Sequence, residues 1–197
     1  MAFLRASAFE PVPIIRGDGF YLRSPALGDH AAWASLREQS RSFLSPWEPT
    51  WPVDDLDKAA FRRRIKRYQQ EIRADHGYPF FLFRAHDHAL LGGLTLAYIR
   101  RGVTQSCSLG YWMGQPHAGR GLMTAAVRAV LPYGFQTLRL HRIEAACLPS
   151  NAASIALLEK VGFTREGYAR RYLCINGYWQ DHLLFAMVDE DWYQTRR

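Results

Sequence analysis

The stretch HAGRGLMTAAV, His117 to Val127, sets two glycines either side of an arginine and continues at once into residues that favour a helix. Gly119 and Gly121 carry no Cβ, so the backbone there can turn sharply and a ligand can come close to it. The segment before it, CSLGYWM, has the aromatic and apolar composition of a strand. A strand that passes through a glycine turn into a helix presents unpaired N–H groups and about half a positive charge to whatever lies in front. Such a place binds anions, above all phosphates. The helix is expected to reach about Thr137, with Pro132 kinking or interrupting it.

Around this unit the chain reads as one domain spanning residues 1–197, long enough to bury a core without staples. GFYLRSP suggests a strand, and GDHAAWASLREQS a helix starting near Asp29 with Ala31, Ala32, Trp33 and Leu36 on its buried side. SPWEPTWP reads as an ordered loop. A second helix is expected over Asp54 to Ala74, with acidic residues first and Leu56, Phe61, Ile65, Tyr68 and Ile72 on its inner face. Then come three strands of a meander, YPFFLFRA, ALLGGLTLAYI and CSLGYWM, followed by the glycine loop and its helix. HRIEAACL is a further strand, PSNAASIALLEKVGF a helix ended by Gly162, and YARRYLCI with HLLFAMV a closing hairpin around NGYW. The order β-α-α-β-β-β-α-β-α-β-β belongs to the α+β class.

Composition narrows the partners. Hydrophobic residues make up 48% of the chain without a long unbroken apolar run, so a soluble protein with no membrane partner is expected. Arg5 interrupts MAFLRASAF, which leaves no apolar core for a secretory leader and points to the cytoplasm. Cys107, Cys147 and Cys174 form no C-x-x-C arrangement, so reduced thiols and no metal are expected. The net charge of +7 favours phosphate-bearing partners, either nucleic acid or a polyphosphate cofactor. Arg62, Arg63, Arg64, Lys66 and Arg67 could touch RNA, although a solvated helix face explains them more simply.

Three phosphate-binding patterns compete at the glycine loop. A Walker loop needs Lys and Ser or Thr where Arg120 and Gly121 stand. A dinucleotide fingerprint lacks its third glycine, because Thr124 follows Met123. The third pattern is the pyrophosphate loop of the GNAT acetyltransferases, Gln/Arg-x-x-Gly-x-Gly/Ala, which aligns with Ala118 to Met123. Its central glycine matches at Gly121, and its first and last positions depart. FLSPWEP, LGYWMGQ, GRGLMTAAV, HRIEAACLPSNAAS, LLEKVGFTREGYARRYL and NGYWQDHLL resemble, in order, the RimJ/RimL branch of that superfamily, closest to its ribosomal-protein-alanine N-acetyltransferases. The resemblance runs from about Phe20 to Trp192.

What this resemblance implies is a GNAT fold: a mixed, mostly antiparallel central sheet splayed between its fourth and fifth strands, with helices on both faces. It also implies transfer of acetyl from acetyl-CoA to the N-terminal α-amine of a protein, here a small-subunit ribosomal protein with an exposed alanine, with ribosome association and a monomer or homodimer. The pyrophosphate would lie on Gly119, Arg120, Gly121, Leu122, Met123 and Thr124, and the pantetheine along Tyr111, Trp112 and Met113, with Asn151 holding it. Ser154 would be the acid, since Leu158 stands where many GNAT enzymes have tyrosine. Trp47, Glu48, Trp51, Tyr178 and Asp181 would line the acceptor groove.

Direct transfer also needs a neutral amine. Forming one from an α-ammonium costs roughly 1.4 kcal/mol near neutral pH, against roughly 4.6 for lysine, so a modest base suffices. Glu48 and Glu144 are the candidates, with Asp181 and His182 behind them; the alternatives are a local cap or pair for Glu48, a strand-end ion pair for Glu144 and an ordering of the hairpin for Asp181 with His182. The RimL branch is associated with a glutamate at the position of Leu173. Other acceptors remain open, namely a small amine, an amino acid or an antibiotic, as does a non-catalytic RNA- or ribosome-associated module.

Overall fold

The computed structural model describes residues 12–194, so the expectation about MAFLRASAF lies outside the described residues. One sheet of eight strands carries the molecule: β1 (Ile15–Gly17), β2 (Phe20–Arg23), β3 (Gly77–Arg84), β4 (Leu90–Arg100), β5 (Ser106–Met113), β6 (Arg142–Cys147), β7 (Thr164–Ile175) and β8 (Tyr178–Val188), in the order β1-β2-β3-β4-β5-β6-β8-β7. Every neighbouring pair is antiparallel except β5 with β6. That one parallel pair holds only from Ser106–Ser108 against Arg142–Glu144, after which the two strands part. The expected splay is therefore present, between strands that become the fifth and sixth once the short β1 is counted.

Helices cover both faces. On one lie α4 (Leu122–Pro132) and α5 (Ala152–Val161), packed on the larger core with Leu109, Ile143, Leu183, Phe185 and Met187. On the other lie α1 (His30–Gln39) and α3 (Lys58–Arg73), whose Trp33, Leu36, Phe61 and Ile65 meet Phe81, Phe83 and Leu90. Each of these fully buried side chains contributes on the order of 2 kcal/mol. The five-residue π-turn Tyr133–Thr137 takes over from α4 directly after Pro132, which has no N–H to continue the ladder. Among the described residues no helix is long and apolar enough to cross a membrane.

Three expectations need correcting. The structure adds β1, a one-turn α2 (Arg41–Leu44) and α6 (Asp189–Gln194), all too short to give a periodic signal. Ala31 and Ala32 face outward, and Arg37 takes an inward place beside Trp33 and Leu36. The α3 helix begins at Lys58, because Asp54 to Asp57 close a turn instead (Asp57 N–H to Asp54 O, 3.0 Å), and Asp54 and Asp55 reach forward to Arg63 and Arg64. Much of the basic run is thereby paired within the chain, Arg67 also meeting Glu71.

Candidate active site

Where β5 and β6 part, a cleft of about 590 Å³ opens, bounded by the glycine loop, the start of α5, the Trp47–Glu48 loop and the β7–β8 hairpin. Gly119 and Gly121 have φ of +74° and +73°, in the left-handed region that L side chains rarely adopt, and no atom lies within 4 Å of where a Cβ would stand. No side chain caps α4 after Gly121. The N–H groups of Leu122, Met123 and Thr124 have no intrahelical partner by helix geometry, and all three residues line the cleft with Arg120 and Lys160. His117 lines it too, and desolvation, helped by Arg84 and Arg120, holds its imidazole below the usual histidine value. Uncapped N–H groups beside two cationic side chains are an arrangement that favours an anion.

Deeper in the cleft, Tyr111 from β5 and Ser154 from α5 share a hydrogen bond of 2.6 Å between hydroxyls. Burial pushes the Tyr111 phenol up to about 12, against the opposing effect of Ser154, so it keeps its proton at neutral pH. Asn151 caps α5, its Oδ1 accepting from Ser154 N–H at 3.1 Å, while the residue still lines the cleft. Burial raises the Cys147 thiol, opposed by a hydrogen bond from Ser154. Leu158 is fully buried in the core.

The sequence family described as Acetyltransferase (GNAT) domain matches residues 20–164. The chain belongs to the GNAT acetyltransferases. It is 37% identical over 178 residues to Probable N-acetyltransferase YjcK of Bacillus subtilis, covering 90% of this chain and 98% of that protein. It is 35% identical over 170 residues to [Ribosomal protein uS5]-alanine N-acetyltransferase of Escherichia coli, covering 85% and 88%. Among solved structures, Mycobacterium smegmatis RimJ in complex with CoA-disulfide superposes with a TM-score of 0.84 at 33% identity, covering 92% of this chain and 87% of that one. The second of these is named for ribosomal-protein alanine acetylation and the third is a RimJ. GNAT acetyltransferases use acetyl-CoA.

On the far side of the cleft this acetyltransferase gathers a polar knot. Arg37 donates to both Glu48 oxygens, Nη1 to Oε1 at 2.8 Å and Nη2 to Oε2 at 2.6 Å, and Trp51 Nε1 adds 2.7 Å to Oε2. The guanidinium lies 4.0 Å from the Trp51 ring centre and 5.1 Å from that of Trp112. Asn176 N–H, at the hairpin turn, donates to Glu48 O at 2.9 Å and ties hairpin to loop. Trp47, Glu48, Trp112, Met113, Leu173 and His182 line the cleft directly.

The remaining sequence candidates stand elsewhere. Trp51 reaches the site through Glu48 and does not line the cleft. Tyr178 is 71% exposed at the start of β8. Asp181 accepts from Tyr168 OH at 2.5 Å and Arg171 N–H at 2.7 Å, bonds that hold its carboxyl below the usual value and make it a brace across the hairpin. Glu144 sits where β5 and β6 still pair, between Arg100 at 2.5 Å and Arg142 at 2.9 Å, outside the cleft lining. The expectation of a base there meets a carboxylate enclosed by two guanidinium groups. Sequence reasoning missed Arg37, whose only signal was a charged residue at an inward helical position, and took Tyr111 as part of the pantetheine edge alone.

Proposed function

We propose that the protein acetylates the N-terminal α-amine, alanine or a similar small residue, of a protein, and that this protein belongs to the small ribosomal subunit. The observation that carries the reading is the two-sided cleft. A phosphate cradle opens on one side and an aromatic, carboxylate-bearing pocket on the other, in a chain 35% identical to an enzyme named for ribosomal protein uS5 alanine acetylation.

In this reading the glycine loop holds the diphosphate of acetyl-CoA, and Asn151 with the Tyr111–Met113 edge holds the pantetheine. Beyond Ser108 the free side of β5 offers a backbone N–H, near Trp112 or Met113, to the thioester oxygen, an oxyanion contact that needs no special side chain. Ser154, backed by Tyr111 at 2.6 Å, donates the proton that the departing sulfur requires. Glu48, fixed by Arg37 and Trp51, supplies a negative charge toward which an N-terminal ammonium orients, and Trp47 flanks it. The cytoplasm, where ribosomal proteins are made, is the matching compartment.

The test is initial-rate thiol release from acetyl-CoA with short peptides bearing free N-terminal Ala, Ser or Met, beside N-terminally blocked lysine peptides and a polyamine. Selective turnover of the Ala or Ser peptides is expected. Turnover of lysine or polyamine alone would keep the acetyl-CoA site and overturn the acceptor.

A further inference from the structure

We propose that His182 is the base that takes the proton from the acceptor amine, an inference that rests on the acetyl-transfer reading above. His182 lies on β8, is only 2% exposed and lines the cleft. Its Nδ1 stands 3.0 Å from the carbonyl oxygen of Gln180. A carbonyl only accepts, so Nδ1 carries the hydrogen and the lone pair of the neutral ring is on Nε2. Among the described residues Nε2 has no hydrogen-bond partner, and it keeps some solvent contact. It is therefore open to the cleft that the residue lines.

Strand alternation decides which side it serves. Leu183, Phe185 and Met187 point into the α4–α5 core, so His182, one residue before Leu183, points to the opposite face. Trp112 packs on that same face, while Tyr111 packs with the larger core. The Tyr111–Ser154 pair and the His182 imidazole thus approach the opening between β5 and β6 from opposite faces of the sheet. Direct transfer needs that arrangement: a donor to sulfur on the cofactor side and an acceptor of amine protons on the other.

The surroundings leave His182 as the free base. Glu48, across the cleft, already accepts three donors from Arg37 and Trp51. On β7, Tyr172 sets its ring edge against the imidazole at 5.8 Å between centroids, and Leu173 and Ile175 supply apolar wall. Asp181, next in the chain, is turned to the other face and engaged by Tyr168 and Arg171 N–H. Cys147, the register partner of Leu183, lies with Ser154 on the cofactor side. In the proposed step Nε2 removes one proton from the ammonium, and the nitrogen lone pair forms the C–N bond as the C–S bond breaks. The amide nitrogen's second proton passes to sulfur through the Ser154 hydroxyl, which gives one proton and regains one, and the imidazolium releases its own to solvent.

The experiment compares wild type with His182→Gln across the pH range on whichever amine of the acceptor panel the wild type acetylates, with CoA affinity measured alongside. The expected result is a fall in kcat near neutral pH of roughly 100-fold, narrowing as the pH rises and free amine becomes abundant, with CoA affinity unchanged. A kcat within threefold and an unaltered pH profile would overturn the base. Nitrogen NMR of the wild-type imidazole covers the case of a variant that does not fold: hydrogen on Nδ1 and a bare Nε2 are required, and the reverse tautomer ends the proposal. Failure of the acceptor reading is visible separately, in which amine the wild type accepts.

Discussion

The two sides of the cleft differ in the polar groups they offer a ligand. On the α4 side the backbone N–H groups of Leu122, Met123 and Thr124, uncapped behind two glycines of positive φ, line the cleft beside the Arg120 and Lys160 side chains. On the acceptor side the polar groups are side chains already engaged with one another, Arg37 with Glu48, Trp51 with Glu48, and Asn176 N–H with Glu48 O. Backbone donors suit a constant anionic ligand, since their direction is set by the helix and needs no rotamer to be held. An engaged side-chain cluster costs more to arrange and, once arranged, fixes the shape that an acceptor must match.

The largest expected effect comes from Gly121→Val, which forces a β-branched residue to φ +73° and puts its methyl groups where a phosphate would lie. CoA affinity measured by titration calorimetry should drop by roughly 100-fold, with a stability cost of about 1–3 kcal/mol. Unchanged affinity would mean that the loop is not the cradle, and the contrast between the two sides would lose its first half.

Arg37→Met tests the second half. Removing one member of a buried ion pair typically costs about 3–5 kcal/mol, and because the Glu48 side chain keeps 21% exposure, roughly 2–3 is expected here. Chemical denaturation should show that loss, and kinetics a raised acceptor KM with CoA affinity untouched. Adding Glu48→Gln should recover part of the stability, since the lone carboxylate is the larger penalty. Equal damage to CoA binding would show that the two sides are one unit.

Between them stands the Tyr111–Ser154 pair. Ser154→Ala should lower kcat by about 10-fold at saturating acetyl-CoA, and Tyr111→Phe by a similar amount, whereas the double variant should fall well short of the product because both serve one proton path. Near-normal turnover of Ser154→Ala removes its role as acid.

The same contrast explains what could be read before the structure. The cradle was legible because glycine spacing, strand and helix are consecutive in the chain, from Ser106 to Pro132. The splay was named from family likeness and then found in a register that ends at Ser108 and Glu144. The acceptor side joins α1, the loop at Glu48 and a hairpin more than a hundred residues later, so nothing local marks its partnerships. Glu48 and Glu144 are equal candidates for the base in the sequence, and only the fold puts one on the cleft lining and the other between two guanidinium groups.

Glu144→Gln carries the smallest expected effect and sharpens that separation. The amide has one acceptor oxygen, so it keeps a bond to only one of Arg100 and Arg142; Arg100 is half exposed and Arg142 retains Glu166 as a partner. Turnover should stay within about twofold and stability within about 1 kcal/mol, as for other partly exposed pairs. Acid should still destabilise wild type and variant alike through Glu166, whose carboxyl is held below its usual value by Arg142. A depressed folded-state value stabilises above the unfolded one and loses that contribution as the pH falls through the folded one, by a modest amount at a group so exposed. A turnover loss of 10-fold or more at Glu144→Gln, with the melting curve unchanged, would put proton transfer at the paired end of β5 and β6. The division into a cofactor side and an acceptor side would then have to be drawn along the strands rather than across the sheet.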